Sequence, residues 1–171
     1  MGITIEREYR TIDKSSWGEG PWNAEPDKIQ GIDEETGYPV LAVRVPWNGA
    51  LCGYVGVTEE HPTFGLSYDE VDKFGPEEDN WRGFRVHGGL TFAGPCQENA
   101  EETGICHMPN PGQPDHVHWF GFDMAHCDDI CPATEAKYKF SSGNPWAQYR
   151  TLEYVLAECS NLARQLKQAE G

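Results

Sequence analysis

Apolar and polar positions along this chain alternate with a period of two in several short stretches and with a helical period only near the end. Ile3 and Ile5 alternate with Thr4 and Glu6, which predicts an opening strand over residues 3–10. Residues 14–30 hold Gly18, Gly20, Pro21 and Pro26 and read as an irregular, aromatic loop carrying Trp17 and Trp22. After a turn at 33–37, residues 39–46 place Leu41, Val43 and Val45 on one face, the better core candidates, and Val40, Ala42 and Arg44 on the other. Trp47-Asn48-Gly49 predicts a hairpin turn, because Asn-Gly accepts the positive backbone dihedrals needed there. The return strand, 50–57, shares Leu51, Gly53, Val55 and Val57 on one side.

Further along, Val86, Gly88, Leu90 and Phe92 alternate with His87, Gly89, Thr91 and Ala93. They form a strand unless the glycine pair bends it beside a ligand. In 116–122, His116, His118, Phe120 and Phe122 oppose Val117, Trp119 and Gly121, with Asp123 at the strand end and a helical turn expected at 125–131. Asn144-Pro145 is a helix start, a capping side chain followed by the residue that suits the first helical position. Tyr149, Leu152, Val155, Leu156, Cys159, Leu162, Ala163 and Leu166 then make one apolar stripe, so an amphipathic helix is expected over 145–169. The pattern predicts one α+β domain over 1–171: a mainly antiparallel sheet, long ordered loops, and a C-terminal helix packed against the sheet.

Charge changes the picture in one region. The net charge is −15, from 28 acidic against 13 basic residues, which disfavours direct nucleic-acid binding. Residues 58–80 concentrate the acids: Glu59, Glu60, Asp69, Glu70, Asp72, Glu77, Glu78 and Asp79 stand against Lys73 alone, and Tyr68–Phe74 suits a short helix. This reads either as a solvated excursion or as a docking surface for a basic host protein, imitating nucleic-acid charge through Asp69, Asp72, Glu77, Glu78 and Asp79. No apolar run approaches the ~20 residues that span a membrane, and the opening M-G-I-T-I-E has no basic leader, so a cytoplasmic protein with reduced, mostly structural cysteines is expected.

Five of the six histidines and four of the six cysteines lie in or beside residues 82–131, so candidate chemistry concentrates there. Asp123 and His126, three apart, share a side of one helical turn. With His87 and Asp128 or Asp129 they supply a set for Zn, Mn or Fe that leaves a position for water: His87, Asp123, His126 and Asp129 as ligands, with Glu98, Glu101 or Glu102 for proton transfer. A metal-free alternative uses His87 or His126 as general base, oriented by Asp123, with His118 or His116 as the second group. Trp22, Thr91, His118 and Trp119 are the candidate substrate-binding residues, and a small molecule or nucleotide is the candidate substrate. Cys96, Cys106, Cys127 and Cys131 offer a closed structural zinc site, but their spacing lacks tight CxxC pairs. The Gly88-Gly89 pair lacks the remaining residues of a phosphate loop. The two readings of the chain are therefore a His/Asp hydrolase and a non-enzymatic acidic binder.

V-H-G-G-L-T-F-A-G at 86–94 and W-F-G-F-D-M-A-H at 119–126, with the G-P-W-N-A-E-P-D-K-I loop and the P-W-N-G-A-L-C-G-Y-V-G hairpin, resemble an uncharacterised protein family of phages and mobile genetic elements. The resemblance implies an intracellular phage–host role, including inhibition of a defence system, and assigns no activity or residue role.

Overall fold

The computed structural model describes residues 2–171. Its centre is a six-stranded sheet in the order β1-β2-β3-β4-β8-β7, with every neighbouring pair antiparallel. The strands are β1 (Ile3–Tyr9), β2 (Lys28–Asp33), β3 (Pro39–Arg44), β4 (Leu51–Val57), β7 (Phe92–Pro95) and β8 (His118–Asp123). A two-stranded hairpin, β5 (Glu77–Glu78) and β6 (Trp81–Arg82), stands apart. The helices are α1 (Tyr68–Val71), α2 (Pro132–Tyr138) and α3 (Leu152–Gln168). The chain is thus α+β, with α3 packed on β4 and, less extensively, on β3 and β2. No described helix is long and apolar enough to cross a membrane.

The period-two pattern builds the sheet, and both of its faces are buried. Val40, Ala42, Leu51, Val55, Phe120 and Phe122 meet Val155, Cys159, Leu162 and Leu166 of α3. On the opposite face Leu41, Val43, Tyr54, Val117 and Trp119 form a second cluster, joined by Phe92, Cys96 and Ile105. Both faces of β3 are therefore core, because an irregular segment after β7 covers the side that α3 does not. At Gly53 a Cβ would come within 2.9 Å of the Cys159 sulfur, so this glycine sets how closely α3 approaches β4.

Three predicted boundaries move. The helix expected over 145–169 begins at Leu152, where the Thr151 side chain accepts the Tyr154 N–H as its cap. Asn144 instead accepts the Trp146 N–H in a local turn, and Tyr149 is drawn away to donate to Glu25 and to accept from Arg44. The strand through 86–92 does not form: Gly88 and Gly89 both take positive φ, 68° and 80°, and pairing starts at Phe92. Residues 125–131 make a turn rather than a helix, and α2 follows with Pro132 at its first position. Within 58–80, α1 carries a reciprocal cap between Ser67 and Glu70 and buries Val71.

Two features were not expected. Strand β2 buries Lys28, Gln30 and Asp33, three polar residues that the rear cover and α3 satisfy. Lys28 Nζ donates to the carbonyls of Ala100, Glu101 and Cys106 at 2.7–2.8 Å, and Gln30 exchanges two bonds with the Met108 backbone. Asp33 accepts from Thr36 and Ser160. Cys96 and Cys106 are joined as a disulfide, which corrects the expectation of reduced cysteines and removes both from a four-thiolate zinc site.

Lys28→Met is expected to cost roughly 3 kcal/mol in urea unfolding, because three buried carbonyls lose their donor; a loss below about 1 kcal/mol would contradict the cage. His61 gives a pH test. Its ring accepts the Thr63 N–H at Nδ1, and its Nε2 lies 2.7 Å from the Leu166 carbonyl of α3, the bonding of a neutral ring. Burial pulls its pKa below the usual 6.5, against the pull of that carbonyl. The unfolded chain thus takes up a proton that the fold refuses, and His61's contribution, present above about 6.5, is lost as pH falls. The urea midpoint should drop between about pH 7 and pH 5, less steeply in His61→Gln; equal slopes would exclude His61 as the cause.

Candidate functional site

The turn at Gly88-Gly89 and the turn after β8 meet over the N-terminal half of α3. The structure brings His87, His126 and Asp129 together there, with one donor atom from each lying within 4.8 Å of the others. Among the described residues no other three His, Cys, Asp or Glu donors come this close. The two imidazoles stand edge to face, 6.0 Å between centroids. Gly88 makes the approach possible: a Cβ there would fall 2.4 Å from the His126 ring.

Each of the three side chains is held from behind. His87 Nδ1 lies 2.9 Å from the Tyr154 hydroxyl, and its backbone N–H donates to Glu158. His87 Nε2 lies 2.7 Å from Asp129 Oδ2. The Asp129 side chain is fully buried, and its Oδ1 accepts from Arg150 Nε at 3.0 Å while Oδ2 also accepts the His126 N–H. His126 Nδ1 lies 3.2 Å from both the carboxylate and the backbone carbonyl of Asp123, which leaves Nε2 free. Asp123 in turn accepts from Thr91 Oγ1 at 2.9 Å. The Arg150 guanidinium lies over the Tyr154 ring at 5.0 Å. Burial, then the Glu158 carboxylate, pushes the Tyr154 phenol above its ordinary pKa, so it serves here as a neutral hydroxyl.

This geometry sorts the predicted residues. His87, His126 and Asp129 converge, whereas Asp123 and Thr91 stand behind His126 rather than among the three donors. Glu98 lies exposed in the loop that follows β7, beyond the strand end opposite Thr91, so its predicted proton-transfer role has no geometric basis. His118 is buried against Phe64 and the Leu66 carbonyl, and Trp119 is fully buried on the rear face with its N–H on Cys96. Neither presents a surface to a substrate. Trp22 packs edge-on against Tyr149, which makes it an anchor of the 14–30 loop. His116 pairs with Glu59 at the surface. Cys131 is disfavoured as a nucleophile, since burial, then Asp129 and Asp123, raises its thiol to about 11.

Three contributors were missed: Tyr154, Glu158 and Arg150. Tyr154 and Glu158 are four apart on the polar flank of α3, a spacing that puts them on one side, but only the fold shows that this side faces His87. The acidic residues proposed for protein binding are partly neutralised in place. Glu77 pairs with Arg82, Glu78 with Arg85, and Asp72 accepts the Phe84 N–H, while Asp69 and Asp79 lie in the same excursion.

Comparison of the chain with protein-family models, with curated proteins and with solved structures finds no match.

Gly88→Ala tests the packing of the site. Gly89→Ala, with open space beside its Cα, should cost only the backbone strain of positive φ, about 1 kcal/mol. Gly88→Ala should cost that and also displace His126, seen as a larger fall in thermal midpoint and a shifted His126 imidazole resonance. Equal effects at the two positions would contradict the contact.

Proposed function

We propose that this protein is a hydrolase of a small molecule or nucleotide, with a divalent ion, Zn or Mn, held by His87, His126 and Asp129. The observation that supports this reading is the support behind each donor. Tyr154 holds the far nitrogen of His87, Asp123 that of His126, and Arg150 the far oxygen of Asp129. Partners of this kind fix ring orientation and tautomer in metal sites and raise ligand basicity. Two imidazoles and one carboxylate leave coordination positions open.

An ion there would lower the pKa of a bound water and stabilise the oxyanion formed in hydrolysis. The chain's own groups do the rest. Arg150 and the His126 N–H keep Asp129 in place as a carboxylate. Tyr154 orients the His87 ring, whose Nε2 donates to Asp129 and would face an ion once it gives up that proton. Glu158, which accepts the His87 backbone N–H, is the carboxylate assigned here to proton transfer. This role passes to it from Glu98. The acidic-binder reading gains no comparable support, because arginines already answer Glu77 and Glu78.

Calorimetric titration of chelator-treated protein with Zn or Mn should give one ion per chain. His87→Ala or Asp129→Asn should remove that binding, and Asp123→Asn should weaken it about 10- to 100-fold through His126 alone. Turnover of a panel of phosphate and carboxylate esters should need the ion and fall at least 100-fold in folded His87→Ala. Unchanged binding in both ligand variants, or ion-independent turnover, would overturn the proposal.

A further inference from the structure

Between β7 and β8 the chain forms no helix or strand, yet this segment closes the rear face of the sheet. Its hold is unusual. Cys96 and Ile105 pack against the cluster of Leu41, Val43, Tyr54 and Trp119. Lys28, 1% exposed, passes its ammonium up from β2 into the carbonyls of Ala100, Glu101 and Cys106. His107 is 4% exposed and packs edge-on against Trp119, and its Nε2 is the one buried side-chain nitrogen or oxygen without a hydrogen-bond partner among the described residues.

Lys28 beneath the cover and His107 on its inner side are therefore better solvated with it open than shut. The Lys28 ammonium is disfavoured by burial, which draws its pKa down to about 8 despite the nearby Glu101 carboxylate. The His107 nitrogen forgoes a bond that water would supply. Across ten positions of sequence, the Cys96–Cys106 disulfide ties together the two ends of the loop that forms this cage. Cys106 also lines an open cavity of about 560 Å³, with Gln97, Glu101, His107 and Asp115, which gives a reductant a way in.

We propose that the Cys96–Cys106 disulfide is a redox latch: its reduction by a dithiol releases the 96–109 cover from Lys28 and opens the Trp119–His107 layer to water. The dithiol supplies two electrons and two protons, the S–S bond breaks, two thiols form, and the dithiol becomes a disulfide. A cross-link around a loop of this length restricts the opened ensemble on the order of 100-fold, so losing it favours local opening by that factor. The rest of the sheet keeps α3 and stays folded. The latch is independent of the metal site, whose donors lie on other segments.

Amide hydrogen exchange on the full chain, oxidised and dithiol-treated, with thiol counts on each sample, tests this. The amides of Gln97 and Gly104, which donate to Ile105 and Ala100, and that of Met108, which donates to Gln30, report on the cover. Reduction should add two thiols and speed their exchange about 100-fold while Val155 and Leu162 in α3 keep their protection. A Cys96→Ser/Cys106→Ser chain should match the reduced protein under oxidising conditions. Unchanged cover exchange after reduction would overturn the latch. So would an equal rise in α3, which would make the bond a staple of the whole fold, or six free thiols in the oxidised sample.

Discussion

The fully buried carboxylate of Asp129 is the constraint on which the site depends. A charge removed from water has to be answered on every side, and here the answers come from three parts of the chain. Arg150 arrives from the segment before α3, the His126 N–H from the turn after β8, and the His87 ring from the glycine turn before β7. Tyr154 of α3 then holds His87 from the other side. Satisfying one carboxylate thus fixes the relative positions of two loops against a helix and the end of a strand. The imidazoles are placed as a consequence.

The same logic runs through the sheet. β2 is a central strand with a polar sequence, and its Lys28, Gln30 and Asp33 are tolerated because loop carbonyls, a loop amide and hydroxyl groups meet them. Arg44, 2% exposed at the end of β3, binds Asp27, the Gly49 carbonyl and the Tyr149 hydroxyl. That network draws the 14–27 loop and the approach to α3 toward one end of the sheet, so Arg150 begins from an anchored position. Buried polar groups thus hold irregular segments in this fold alongside apolar ones.

What was legible in the sequence follows from this. Alternation revealed β3, β4 and β8, and the stripe from Leu152 to Leu166 revealed α3, because apolar burial leaves a periodic trace. β2 left none, since Lys28 and Gln30 bond to carbonyls 72 to 78 residues away and Asp33 to Ser160, 127 away. The start of α3 was read seven residues early because Asn144-Pro145 is a sound local signal that tertiary contacts at Tyr149 override. In the site, His87, His126 and Asp129 stood out by residue type, and the Gly88-Gly89 pair beside His87 suited a bend. Asp123 was read as a ligand from its spacing to His126, but a tight turn replaces the expected helix and puts it behind the ring. Tyr154, Glu158 and Arg150 carried no local signal that linked them to His87.

The most direct test of the account is anomalous diffraction at the zinc edge from crystals of the chain equilibrated with zinc. One strong peak is expected about 2.0–2.2 Å from His87 Nε2, His126 Nε2 and a carboxylate oxygen of Asp129. Asp123 should remain on His126, Tyr154 on His87, and Arg150 on Asp129. A peak on the acidic excursion or on cysteine sulfur, with the His87–Asp129 hydrogen bond left intact, would contradict it.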